Sequence, residues 1–161
     1  MHMRASAFSS LLVLAVAAVA CDSGGTNVPQ LPTALPSIDG TQANPALFYN
    51  TNGGGDVLIG EEGFLTFTVK NTGSEDMKVN SVAYTGDSAI TLQPGVSPAT
   101  PATIPYAMYL TVGLTCTPAV TNPQVKETYN GQVVVQSNAS NLPTITEYVQ
   151  CVGLPNQDAG P

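Results

Sequence analysis

The sequence predicts an all-β protein folded as a two-sheet sandwich, and three observations carry that expectation. Pro, Gly, Thr, Ser, Asn and Val dominate, while helical runs of Leu, Glu, Lys and Ala are absent. Apolar and polar residues alternate with period two in several short segments. Turn residues separate those segments at the spacing of a sandwich, with about seven strands in all. The chain beyond residue 20 suits one domain of ordinary size with a single buried core.

Taken in order, Ala46-Leu-Phe-Tyr49 reads as a short first strand. Gly53-Gly-Gly-Asp56 makes a turn or bulge, Val57–Ile59 is a brief apolar continuation, and Gly60-Glu-Glu-Gly63 turns the chain again. From Phe64 to Lys70, Leu65, Phe67 and Val69 face one way and Thr66, Thr68 and Lys70 the other, as in a half-buried strand. Asn71-Thr-Gly73 ends it with residues that tolerate the left-handed region. Met77–Tyr84 follows with Met77 and Val79 inward and a bulge near Asn80-Ser81, and Ala89–Leu92 is a short edge segment. Four prolines between Gln93 and Pro105 exclude a central strand there. Tyr106–Thr117 is expected to be the longest strand, with Leu110, Val112, Leu114 and Cys116 on one face. Tyr129-Asn-Gly131 leads into Gln132–Gln136, with Val133 and Val135 inward, and Thr144–Val152 closes the set with Val149 and Cys151 on one face.

The N-terminal stretch has another character. Arg4 precedes an apolar run from Leu11 that ends in Ala18-Val19-Ala20-Cys21, too short to cross a bilayer. Small residues before the cut suit a signal peptidase, and the Cys21 thiol can accept a diacylglyceryl group. The pattern resembles the lipobox of bacterial lipoproteins, with Ala18 where that pattern most often has Leu. The resemblance implies cleavage after residue 20, lipidation at Cys21 and a membrane-anchored place in the bacterial cell envelope, facing the periplasm or the cell surface. Asp22 directly after the lipidated Cys implies inner-membrane retention in some bacterial lineages, so no membrane is chosen from it. Residues 21–45 carry Pro29, Pro32 and Pro36 with no apolar period, and read as a flexible tether, with a first strand near Leu31–Ile38 as the alternative. The expected layout is signal peptide 1–20, tether 21–45, sandwich 46–155 and tail 156–161.

Beyond residue 20 the chain keeps Lys70, Lys78 and Lys126 against eleven Asp and Glu. That balance argues against nucleic acid, whose phosphates need many cations, and against a polybasic hold on anionic lipid. Arg4 and His2, the only Arg and the only His, are removed with the signal peptide. With Cys21 lipidated, Cys116 and Cys151 remain, an even pair in an oxidising compartment. A disulfide is the plain reading and two separate buried thiols the alternative.

The order of motifs adds a family. Asn71-Thr-Gly73 after a strand is followed by Met77-Lys-Val-Asn-Ser-Val-Ala-Tyr-Thr-Gly86, and later by Leu114-Thr-Cys-Thr-Pro118. Tyr129-Asn-Gly-Gln-Val-Val-Val-Gln-Ser-Asn138 and Tyr148-Val-Gln-Cys-Val-Gly153 end the series. From about Ala46 to Gly153 this resembles the abnormal-spindle/hydin-like (ASH-type) domains, called choice-of-anchor D in bacterial surface proteins. The resemblance implies an immunoglobulin-like β-sandwich serving as a structural or binding module, with no catalytic residues to carry over. A variant of the family has a Cys at each of the places of Cys116 and Cys151. The proline-rich 93–105 segment departs from the family.

Catalytic constellations are scarce. Without His in the mature chain, neither a Ser-His-Asp nor a Cys-His arrangement is possible. Glu61-Glu62 and Glu75-Asp76 are paired in sequence only, where a glycosidase needs two facing carboxylates in a cleft. No enzyme activity and no cofactor are therefore expected. Asp56, Glu61 and Glu62 are weak candidates for Ca²⁺, which wants oxygen ligands, although their spacing matches no EF-hand loop. Tyr106 and Tyr109 are expected in ordinary packing, with stacking on a sugar or peptide as the alternative. Asn138-Ala-Ser140 has the glycosylation spelling and reads more simply as turn chemistry. The function expected is a lipid-anchored module that binds a protein or envelope polymer. The alternative is a calcium- or small-ligand-binding lipoprotein using the 53–63 loop or the 93–109 segment.

Overall fold

The computed structural model describes residues 31–50, 55–119 and 125–155. Ten strands are found among them: β1 (Ala34–Pro36), β2 (Ala46–Leu47), β3 (Val57–Leu58), β4 (Gly63–Asn71), β5 (Met77–Gly86), β6 (Ile90–Leu92), β7 (Ala102–Ile104), β8 (Tyr109–Cys116), β9 (Glu127–Ser137) and β10 (Thr144–Leu154). One sheet has the order β1-β4-β8-β6, the other β2-β10-β9-β5-β7, with β3 also on β10. Only β2 and β3 pair in parallel, one after the other along the free edge of β10. The first sheet occupies the place of the A-B-E-D sheet of an immunoglobulin domain, and β5-β9-β10 that of C-F-G. The fold is an immunoglobulin-like β-sandwich.

Period-two alternation places the core. Leu65, Phe67 and Val69 of β4 and Leu110, Val112 and Leu114 of β8 form one wall, all buried. Met77, Val79, Val133, Val135, Ile145 and Val149 form the other. Each such side chain contributes about 1.5–3 kcal/mol when fully buried. The bulge in β5 falls between Val79 and Ser81, as the sequence suggests. Cys116 of β8 and Cys151 of β10 lie on these inner faces, wholly buried, and are joined by a disulfide with Cα atoms 6.4 Å apart. Tyr129 near the start of β9 donates its hydroxyl to the Glu127 carboxylate at 2.6 Å and to the Ala119 carbonyl at 3.4 Å. It thus ties the corner between β8 and β9, where immunoglobulin-like sandwiches often carry such a tyrosine.

The structure corrects several expectations. The strands exceed the expected seven because β1, β3 and β7 are two or three residues long and show no alternation of their own. β8 starts at Tyr109 because Ala107 takes a positive φ of 63° and its N–H is held by the Asn71 carbonyl. The longest strands are β9 and β10, with 11 residues each. Neither Asn71 nor Gly73 uses the left-handed region. A Cβ on Gly73 would lie 1.9 Å from the Leu31 carbonyl oxygen, so close approach is what requires glycine. Asn71 is fully buried because every polar group it owns is used. Its side-chain amide donates to the Glu75 and Ile104 carbonyls at 2.7 and 2.9 Å, and its side-chain oxygen accepts the Gly73 N–H at 3.1 Å.

The expected tether does not extend to residue 45. From Leu31 onward the chain belongs to the sandwich, while residues 21–30, the signal peptide and the tail from residue 156 lie outside the described residues. β1 pairs with β4, Ala34 opposite Asn71. Its other edge is covered by the side chain of Asn141, which accepts the Ala34 N–H and donates to the Ala34 carbonyl, both at 2.8 Å. One amide thus imitates a neighbouring strand. Proline-rich composition hid this, because the bonding partners lie far along the chain.

Two outcomes are expected. The bridge spans 35 residues, and its loss in a Cys116→Ala/Cys151→Ala variant should cost about 3–4 kcal/mol. A melting temperature lower by roughly 10–15 °C, with a β-type circular dichroism spectrum retained, is the expected reading. Asn141→Ala should cost about 1–3 kcal/mol by stranding the Ala34 amide and carbonyl. Limited proteolysis should then cut within 31–36 in the variant and leave those residues intact in the wild type.

Candidate binding groove

A groove of about 600 Å³ lies on the larger sheet near the β5–β9–β10 end. Cross-strand register builds it. Thr85, Gln132 and Tyr148 stand in one row across β5, β9 and β10, and Asn130 is opposite Gln150 two residues along. These are the polar phase of strands whose other phase fills the core. The Gln150 amide donates to the Asn130 side-chain oxygen at 2.9 Å. Gln42 and Pro45, from the stretch expected as tether, form a side wall.

Interactions beneath and beside the groove hold its shape. The Tyr84 ring lies against Gly131, and its hydroxyl donates to the Asp87 carbonyl at 3.0 Å. Burial, and then the Asp87 charge, push the Tyr84 hydroxyl up to about 12, so it remains a donor throughout the ordinary pH range. The Asp87 carboxylate accepts the Asn130 backbone N–H and so fixes that end of β9. The wall is fixed at Gly40. Its carbonyl accepts the Tyr148 N–H at 2.9 Å and its N–H donates to the Glu147 carboxylate at 2.6 Å. A Cβ on Gly40 would approach the Tyr148 carbonyl oxygen to 2.4 Å, so only glycine permits this contact.

Glu147 departs from the strand pattern. It occupies the inner phase of β10 with Ile145 and Val149, and is 3% exposed. Burial pushes its carboxyl above the ordinary glutamate range; the Gly40 N–H pulls it down, and Asp39 pushes it up again.

The residues singled out from the sequence fall elsewhere. Cys21 lies outside the described residues. Cys116 and Cys151 are bonded to each other in the core. Asp56 sits 3.7 Å from the Lys126 ammonium in an exposed pair, the kind that contributes at most about 1 kcal/mol. Glu61 and Glu62 are exposed in the turn after β3. Among the described residues no group of three or more His, Cys, Asp or Glu is placed to hold a metal ion. Tyr106 and Tyr109 do not pack inside, being 59% and 54% exposed, which corrects that expectation. They flank the turn at Ala107, and the Lys70 ammonium stands 5.5 Å from the Tyr109 ring centre. The Asn138 side chain accepts the Lys78 N–H at 2.7 Å, so in place of a local turn contact it extends the pairing of β9 with β5. Sequence reading missed the groove residues because Asn130-Gly131 looks like a turn and polar strand residues look like ordinary solvated surface. The only signal was a polar phase of Gln, Asn, Thr and Tyr without charge.

No protein-family model and no curated protein matches the chain. Solved structures do resemble it. One is a protein of unknown function from Porphyromonas gingivalis W83, 12% identical with a TM-score of 0.51, covering 81% of this chain. The chain spans 50% of the length of that structure. Another is an ASH/PapD-like domain of human CEP192, 13% identical with a TM-score of 0.49, over 96% of this chain and 97% of that one. A family 123 glycoside hydrolase from Clostridium perfringens aligns at 12% identity and a TM-score of 0.48, over 77% of this chain and 27% of that one. The likeness to the first speaks for the fold alone.

A pH effect follows from Glu147. Its carboxyl is raised in the fold, so the buried charge costs stability above the folded value and costs nothing below the unfolded one. Stability due to this group is fully present below the ordinary glutamate range and is lost as pH rises through the raised value. Glu147→Gln keeps an acceptor for Gly40 and removes the charge. The variant should melt higher than the wild type at pH 7, and the gap should close as pH falls into the ordinary glutamate range. Parallel melting curves at every pH would contradict this account.

Proposed function

We propose that the chain is a non-enzymatic lipoprotein of the bacterial cell envelope, held to a membrane by lipid on Cys21. Its immunoglobulin-like domain, of ASH or choice-of-anchor D type, serves as a structural or binding module for a protein or an envelope polymer. The observation that carries this reading is the groove on the larger sheet. Side-chain amides, a threonine and a tyrosine line it, held in register by strands, and this is a surface suited to binding. Its lining offers no thiol, imidazole or facing carboxylates for bond-breaking chemistry. Nucleic acid and cofactors have no part in this reading. The Cys116–Cys151 bridge accords with an oxidising compartment.

The anchor is tested directly. Metabolic labelling with a fatty acid should mark the wild type, and Cys21→Ser should move the protein from the membrane to the soluble fraction. Durable attachment takes more than one acyl chain, so the lipidated mass should show at least two. A wild-type protein that carries no label and is cut at another residue would end the lipoprotein reading.

A further inference from the structure

We infer that the groove on the larger sheet takes an uncharged oligosaccharide, a segment of a neutral glycan; this rests on reading the domain as a binding module and names the ligand class of that same groove. Charge decides first. The groove lining carries no Lys, so an anionic ligand finds no counterion. The lining carries no Asp or Glu either, so a cation finds no carboxylate ligand there. A neutral polar ligand remains.

Donor and acceptor geometry then favours hydroxyls. Gln42 and Gln132 each present both an amide donor and an acceptor, while Asn130 and Gln150, bonded to each other, keep the Asn130 amide and the Gln150 oxygen for a ligand; neighbouring hydroxyls of a sugar ring ask for that mixture. Tyr148 and Pro45 add apolar surface for the C–H faces of the ring. An extended peptide would bind here by adding a strand to β10, but that edge is taken. The Tyr148 N–H goes to Gly40, Ala46 and Leu47 pair with Val149 and Gln150, and the Gln150 carbonyl accepts the Phe48 N–H. Cross-strand rows spaced by the sheet instead offer a ladder of side chains to a ligand lying across β5, β9 and β10.

The test uses the full chain, labelled with nitrogen-15 and held in detergent. Maltohexaose, cellohexaose and chitohexaose are titrated in turn, with an oligogalacturonate hexamer as the anionic comparison. Backbone and side-chain amide signals are followed. At least one neutral hexamer should give saturable shifts confined to Asn130, Gln132, Tyr148, Gln150 and their neighbours. Gln132→Ala and Tyr148→Ala should each weaken binding about tenfold, the loss of one good contact, with unchanged melting. Preference for the anionic hexamer, shifts mapping away from the groove, or no shift with any neutral hexamer would overturn the assignment. If no sugar binds but an envelope protein co-purifies with the chain, the glycan is wrong and the binding-module reading survives. If neither occurs, both fall.

Discussion

A sheet that ends in an open edge leaves a row of backbone groups unpaired, and the two edges of this sandwich nearest its N-terminal side are covered by one stretch of chain. Residues 34–36 lie against β4, and residues 40–48 lie along β10 in the other sheet. The Asn141 side chain closes the remaining side of β1 from the turn between β9 and β10. Both sheets therefore share one cover, and the groove borrows its wall from it. Among the described residues no buried side-chain nitrogen or oxygen lacks a partner. Such complete pairing is what makes a polar seam tolerable between apolar layers.

The disulfide acts at the opposite level, across the layers instead of along an edge. Antibody domains bridge the B and F strands, whereas here the bond joins the counterparts of E and G. It ties β8, in the middle of its sheet, to β10, whose other side carries the N-terminal cover. The covalent link and the edge cover thus converge on the same strand. No Trp fills the core, and Phe48 and Phe67, both buried, are its large aromatics.

Where burial is one-sided, sequence and structure agree closely. Leu65, Phe67 and Val69, then Leu110, Val112 and Leu114, announce their faces by alternation alone, because one phase must leave water. The cysteine pair was legible for the same reason, each thiol sharing the parity of its neighbours. β1 was not legible. Ala34-Leu-Pro36 carries no period, and the groups that make it a strand are Asn71 and Asn141, far along the chain. Glu147 reads as an outward residue by chemistry and inward by parity; parity prevailed because Gly40 supplies an N–H inside. The groove arises from the solvated phase of three strands and a proline-rich segment, and neither carries a local pattern that marks a site.

Because β1 is the first strand among the described residues, a pull on the described chain from its N-terminal side is borne first by the laterally bonded strip at residues 34–36. Those bonds run across the direction of the strand, so they resist as a group and do not open one at a time. Should the strip give way, the bridge sets how far the rest can lengthen. The 35-residue span between Cys116 and Cys151 stays closed, removing about 120 Å of contour from any extension. However far the rest of the domain is drawn out, residues 116–151, with the whole of β9 among them, stay closed in a covalent ring.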